Sequence, residues 1–174
     1  VDAGQAHRSS LPVFVDTTPG ERGGVDLALI DIRDGNATRV NGSVCAPAAQ
    51  MSDDERLLVY ATCSLTARGE TESELHALDL VTGVDRAIVP LHGRVWSILL
   101  SPANDRVLVH RFQSDNKPMP AAVVSLDGRH TEIEAGWAPL GWQGRDRIVL
   151  FDEGPPARLA VADAEGGAPR VIYP

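Results

Sequence analysis

The sequence is poor in lysine, in aromatic residues and in long apolar runs. Lys117 is the only lysine among 174 residues, and aromatic residues make up 5% of the chain. No stretch approaches the roughly 20 apolar residues that a membrane-spanning helix needs. The net charge of -8, with no basic run, argues against nucleic acid as a partner, because a polyanion must be met by a basic face.

Catalytic and metal-binding motifs are also missing. The chain has no G-x-S-x-G elbow, Walker loop, Rossmann glycine fingerprint or H-E-x-x-H pair. Two cysteines without a nearby histidine do not complete a tetrahedral metal site. The sequence therefore predicts a chain that is not an enzyme and binds neither a metal nor a cofactor.

The residues that are present suit one globular domain over positions 1–174. Hydrophobic residues make up 43% and charged residues 23% of the chain, which is ordinary for a folded protein. The excess of arginine over lysine, with much Ala, Val, Gly and Asp, is typical of a GC-rich bacterial genome. Because the chain begins at Val1, we expect a removed leader or a larger parent protein.

One pattern occurs three times: a polar turn, an arginine and then an apolar strand. The turn residues tolerate tight-turn dihedrals, and the β-branched run that follows is typical of a buried strand. The three copies are MSDDERLLVY with Arg56, LSPANDRVLVH with Arg106, and GWQGRDRIVLF with Arg147.

A second pattern alternates with the first: an apolar strand, a turn ending in glycine, and another short strand. The turn glycines are Gly35, Gly83, Gly128 and Gly166, spaced by 48, 45 and 38 residues. Two alternating hairpins make a four-stranded antiparallel unit, and no window has helical periodicity. The sequence predicts an all-β fold with a partial unit at 11–41 and full units at 42–90, 91–134 and 135–174.

The turn-and-strand segments resemble the SPDG-type repeats of TolB-like β-propellers, which also occur in prolyl-oligopeptidase-type propellers. LSPANDRVLVH is the best match, whereas the other two segments lack the proline. The resemblance implies a β-propeller-like array of blades, and a β-sandwich is the alternative. Three closures stay open: residues 1–10 complete a small four-bladed ring, the chain belongs to a longer propeller, or two chains complete one another.

The two cysteines are placed symmetrically about the turn at Asp54. If that turn centres the hairpin, Cys45 and Cys63 face one another within disulfide range. A disulfide would place the chain in an oxidising, extracytoplasmic compartment: secreted, periplasmic or at the cell surface. The alternative is two buried free thiols in a cytoplasmic protein.

Several residues are candidates for ligand or partner contact. Trp96, Trp137 and Trp142 lie near the starts of inner strands, where they either pack between blades or line a propeller mouth. His76 shares a strand face with two glutamates, which suggests a proton relay or simply a polar surface. The loops Ser64–Glu74 and Gln113–Pro120 occupy equivalent positions, so we expect both on one face, where repeat proteins place recognition.

The leading functional interpretation is a non-catalytic extracytoplasmic module that binds a protein or a small ligand at this loop face. By analogy with TolB-like domains, it would serve as sensor or scaffold of a membrane-tethered regulator. The alternatives are the gating propeller of a prolyl-oligopeptidase-type peptidase whose catalytic domain is absent, and a carbohydrate-binding or lyase-like propeller.

Overall fold

A computed structural model describes residues 10–15, 25–152 and 154–174. These ranges contain β-strands and turns but no helix, and so no helix that could cross a membrane. The prediction that residues 1–10 complete a small ring concerns residues that lie almost wholly outside the described ranges. The strands are β1 (Ser10–Val15), β2 (Val25–Asp31), β3 (Ala37–Met51), β4 (Leu57–Leu65), β5 (Thr71–Asp79), β6 (Asp85–His92), β7 (Arg94–Leu100), β8 (Arg106–Phe112), β9 (Ala122–Ser125), β10 (His130–Glu132), β11 (Ala138–Gln143), β12 (Arg147–Asp152), β13 (Arg158–Asp163) and β14 (Arg170–Tyr173).

The strands form three antiparallel sheets in chain order, β1 to β6, β7 to β10 and β11 to β14. The long strand β3 pairs with β2 through its first part and with β4 through its last residues. It therefore belongs to two hairpin units. We call β1, β2 and the first part of β3 unit one, the remainder through β6 unit two, and the next two sheets units three and four.

Three apolar clusters lie between consecutive units. Leu58 and Tyr60 of β4 pack toward unit one, whereas the alternating Val59 and Ala61 pack toward unit three. Leu108 of β8 packs toward unit four. Because successive strand residues point to opposite faces, each full unit between two neighbours can bury both of its faces. The units thus stack side by side with apolar surface buried between them, as the sequence predicted.

The first hairpin turns of units two and three have the same construction. The amide of Ser52 donates to the carbonyl of Leu57, and that of Ser101 donates to Arg106, both at 2.8 Å. In both turns the serine Oγ also accepts an amide of the returning strand. Leu57, not Arg56, therefore occupies the position of Arg106, so the expectation that Arg56 repeats Arg106 was wrong.

The second hairpin turns are capped by polar side chains at equivalent positions, which are Asp31, Asp79, Ser125 and Asp163. Asp79 Oδ1 accepts the amides of Val81 and Thr82 at 2.8 and 2.9 Å. These backbone hydrogen bonds lower the pKa of Asp79 below its ordinary value of 3.8. The turn closes through Gly83, whose φ of 73° is a conformation that favours glycine.

Replacing Asp79 with alanine should lower the melting temperature at pH 7, because the two turn amides lose their acceptor. Since the pKa of Asp79 is depressed in the folded protein, its contribution to the stability of the fold is present above pH 3.8. That contribution is lost as the pH falls through the lower folded pKa. Thermal unfolding of both proteins should therefore differ at pH 7 and converge in strong acid. Glu134→Ala removes the same charge from an exposed site and should show no such difference; equal effects of the two variants would contradict the capping role.

The disulfide joins Cys45 to Cys63, whose Cα atoms are 5.2 Å apart. The register that led to this pairing was wrong. Met51 pairs with Leu58, and the register shifts between Val44 and Ala49. Pro47 lies in the shifted stretch and has no N–H to donate to the ladder, which accounts for an irregularity there.

Candidate binding face

The two loops predicted to emerge on one face do lie together. The amide of Thr71, where the first loop joins β5, donates to Ser114 Oγ in the second at 2.9 Å. The link between units two and three joins them, because the amide of Gly93 donates to the carbonyl of Thr71 at 3.0 Å. A depression of about 210 Å³ opens here, lined by Glu70, Thr71, His92, Gly93, Gln113, Ser114 and Asp115. We call this end of the molecule the loop face.

Gly93 fixes how closely the link and the second loop approach one another. Its φ is 85°, and a Cβ at this position would lie 2.7 Å from the carbonyl oxygen of Phe112 and 2.4 Å from the Met119 sulfur. A side chain here would therefore push strand β8 away from the link. Glycine is required at this position by both its backbone conformation and the lack of space.

Trp96 is the exposed tryptophan of the three, with 47% of its surface accessible. The register of β7 against β8 shifts between Val95 and Ser97, so Trp96 is a bulged residue. Its ring meets Phe112 edge-on at 6.0 Å between centroids, and the Arg94 guanidinium lies 5.7 Å from the ring centroid. A β-bulge changes the direction of a side chain, and here it presents the indole beside the loop face.

His110 extends this aromatic group. Its imidazole lies 4.6 Å from the Phe112 ring. Burial lowers the pKa of His110 below its ordinary value of 6.5, which favours the neutral imidazole. The patch formed by Arg94, Trp96, His110 and Phe112, which we call the Trp96 patch, thus offers apolar ring surface and one guanidinium.

Trp137 and Trp142 do not join this patch. Trp137 is only 8% exposed and belongs to the cluster between units three and four, with the Arg158 guanidinium 5.1 Å from its ring centroid. Trp142 packs against the same cluster, and its Nε1 donates to the carbonyl of Leu99 at 2.8 Å. Both residues pack between units, which was one of the two roles predicted for them.

His76 lies on another surface, the side of unit two that faces unit one. Its Nε2 is 3.2 Å from a Glu74 oxygen, its Nδ1 is 3.5 Å from an Asp85 oxygen, and its ring stacks on Tyr60 at 5.1 Å. The Tyr60 hydroxyl donates to Asp85. In the parts of the chain that the structure describes, no group of three or more His, Cys, Asp or Glu residues is arranged to hold a metal ion.

Arg111 is a residue that our sequence reasoning missed. It is 3% exposed, and its guanidinium donates to the carbonyls of His92 and Pro120 at 3.2 and 3.1 Å and to Glu132 at 2.7 Å. It thereby ties three segments together beneath the loop face. The available signal was period two, because Arg111 lies two residues after the buried residue Val109 and therefore shares its strand face.

No family model and no curated protein matches this chain. Solved structures do match it. The chain is similar to the β-propeller domain of the Trilobed protease from Pyrococcus furiosus, with 13% identity and a TM-score of 0.64. It is similar to TolB from Acinetobacter baumannii, with 15% identity and a TM-score of 0.63. The fold is that of a β-propeller. A third match is an oligogalacturonate lyase in complex with manganese, with 17% identity and a TM-score of 0.67.

These matches cover almost the whole of this chain but only about half of each matched protein. The chain is covered to 94%, 95% and 95%, whereas the propeller domain, TolB and the lyase are covered to 52%, 41% and 49% of their lengths. The units described above are therefore propeller blades, and they form about half of such a structure. This structural similarity favours the propeller over the β-sandwich alternative.

Proposed function

We propose that this chain is a non-catalytic, extracytoplasmic binding module whose partner contacts the loop face at the Trp96 patch. The observation that carries the proposal is the exposed indole of Trp96, held between Phe112 and Arg94. Exposed aromatic and arginine side chains are enriched among the residues that dominate binding energy. Loops grouped on one face of a rigid repeat array are a common place for recognition.

An extracytoplasmic location is supported by the disulfide between Cys45 and Cys63, since such bonds persist in oxidising compartments. The likeness to TolB supports a binding role, and we propose the sensor or scaffold domain of a membrane-tethered regulator as the setting. The location is argued from compartment chemistry, and the regulator setting is argued from structural analogy.

The test is binding to an immobilised peptide library and a glycan array that includes oligogalacturonate, one probe being suggested by the lyase match. Trp96→Ala should weaken saturable binding by about tenfold or more, because loss of a central aromatic contact removes on the order of 1.4 kcal/mol or more. The fold should persist, because the Trp96 side chain is half exposed.

Leu140→Ala is the matched control, since Leu140 is 54% exposed and lies outside the Trp96 patch. It should leave binding unchanged. Equal binding by wild-type protein and Trp96→Ala to every saturable probe would contradict the proposed site, and the absence of any saturable binding would contradict the proposed function.

A second candidate is the accessory propeller of a serine peptidase. The likeness to the propeller domain of the Trilobed protease favours it to the same degree as the TolB likeness favours the first. The chain has no nucleophile elbow, so hydrolysis would need a separate catalytic domain. The encoding gene decides between them: a continuous reading frame with an α/β-hydrolase supports the peptidase, and an upstream membrane segment supports the tethered regulator.

A further inference from the structure

The side chain of Ser73 is buried between the disulfide and the link into unit three. Ser73 is 4% exposed and lies in β5 opposite Cys63 of β4. Its hydroxyl donates to the carbonyl of Gly93 at 2.8 Å and accepts a hydrogen bond from the amide of Val95 at 3.1 Å. These two backbone groups lie on either side of Arg94, so one side chain holds the backbone before and after the first residue of β7.

Both hydrogen bonds of the Ser73 hydroxyl are made in a buried setting. Gly93 is buried, and Val95 has none of its surface accessible. A hydroxyl offers one proton and two lone pairs, and here the proton goes to Gly93 while one lone pair accepts the Val95 amide. Alanine at position 73 would therefore leave a buried carbonyl and a buried amide without these partners, and the link would lose this attachment to β5.

The disulfide lies against the same hydroxyl. Cys45 Sγ and Cys63 Sγ are 3.4 and 3.7 Å from Ser73 Oγ. Neither sulfur carries a proton while the disulfide is intact, so neither competes with the Val95 amide as a donor to the hydroxyl oxygen. The disulfide thus leaves the Ser73 hydroxyl to the two backbone groups of the link.

Trp96 takes its position from the residues on its two sides. It is the bulged residue of β7, so it has no partner in the register between β7 and β8. The next residue, Ser97, pairs with β8, and the preceding residue, Val95, is held by Ser73 as well as by β8. Arg94, whose guanidinium lies 5.7 Å from the Trp96 ring centroid, directly follows the carbonyl that Ser73 holds. Ser73 therefore anchors the backbone that carries both the indole and the guanidinium of the Trp96 patch.

We propose that Ser73 is a positioning residue of the Trp96 patch, because its hydroxyl sets the backbone from which the indole is presented to a partner. This role rests on the proposed function of the patch. Ser73 is itself buried, so it acts through the link and not by direct contact. Loss of its hydroxyl should change the surroundings of Trp96 and weaken binding there, although every side chain of the patch is still present.

Fluorine NMR of the protein labelled with 5-fluorotryptophan tests this role without a ligand. The chain has three tryptophans, and Trp96→Phe assigns the resonance of Trp96. In Ser73→Ala the Trp96 resonance should shift, split or broaden. The resonances of Trp137 and Trp142 should stay in place, because both side chains pack in the cluster between units three and four.

Ser52→Ala is the matched control. Ser52 is also buried, with 1% of its surface exposed, and its Oγ also accepts a backbone amide, that of Leu57 at 3.0 Å. The same chemical change in this hairpin turn should leave the Trp96 resonance where it is in the wild-type protein. An unchanged Trp96 resonance in Ser73→Ala, or an equal change in Ser52→Ala, would overturn the positioning role.

Hydrogen exchange of the wild-type protein covers the case in which Ser73→Ala does not fold. The amide of Val95 should exchange at least about tenfold more slowly than the same amide in an unfolded chain, because its hydrogen is bound to Ser73 Oγ. Exchange at the unfolded rate would mean that this hydrogen bond is not made, and would overturn the positioning role.

Binding separates this role from the proposed function. Against a saturable probe from the peptide library or the glycan array, Ser73→Ala should raise the Kd about threefold or more, and Ser52→Ala should leave it unchanged. If no probe binds the wild-type protein, the proposed function fails, whereas a Trp96 resonance altered only in Ser73→Ala still supports the positioning of the indole. If Trp96→Ala abolishes binding but Ser73→Ala alters neither the resonance nor the Kd, the binding site stands and the role of Ser73 is overturned.

Discussion

Arg111→Met should lower the free energy of unfolding by about 3 kcal/mol, measured by urea denaturation at pH 7. The substitution keeps most of the side-chain volume but removes every hydrogen bond of a guanidinium that is 3% exposed. The part-buried carbonyls of His92 and Pro120 then lose their donor, and leaving a buried polar group unsatisfied costs about 1–3 kcal/mol. The loss of the contact to Glu132 adds less, because that carboxylate is half exposed.

Two variants keep this result interpretable. Arg145→Met makes the same chemical change at an exposed position and should alter the free energy of unfolding by less than about 0.5 kcal/mol. Glu132→Gln should cost under about 1 kcal/mol, because the two carbonyls keep their donors. If Arg111→Met were as stable as Arg145→Met, the three segments beneath the loop face would not depend on this guanidinium.

Removing the disulfide should have an effect of similar size. The bond between Cys45 and Cys63 closes a loop with a sequence separation of 18 residues, for which chain entropy gives about 3 kcal/mol. The double substitution of both cysteines by alanine should therefore shift the urea midpoint of unfolding downward. Ser73 packs beside both sulfurs, and its hydroxyl also donates to the carbonyl of Gly93 at 2.8 Å, so the bond lies next to the link into unit three.

Reductant provides the matched comparison. It should lower the urea midpoint of the wild-type protein toward that of the double variant and leave the double variant unchanged. Thiol labelling of the unreduced, unfolded wild-type protein should find no free cysteine. Two reactive thiols per chain in protein purified without reductant would contradict the disulfide and remove the chemical support for an extracytoplasmic location.

The candidate site was only partly predictable from the sequence. The loops around Thr71 and Ser114 were expected on one face because they recur at equivalent positions, and the structure brings them into contact. The three tryptophans were indistinguishable in the sequence, since each lies near the start of an inner strand. A local bulge exposes Trp96, whereas Trp137 is buried by the packing of two units, and neither effect follows from strand periodicity.

The local structure follows from the amino-acid sequence alone: strands with period two, turns closed by glycine, and a cysteine pair flanking one hairpin. These features depend on backbone dihedrals and on hydrogen bonds between residues that are close along the chain. The burial of Arg111 and the exposure of Trp96 are set by the tertiary structure. Exposure depends on which sheets pack together, and that packing joins residues tens of positions apart through non-directional apolar contact.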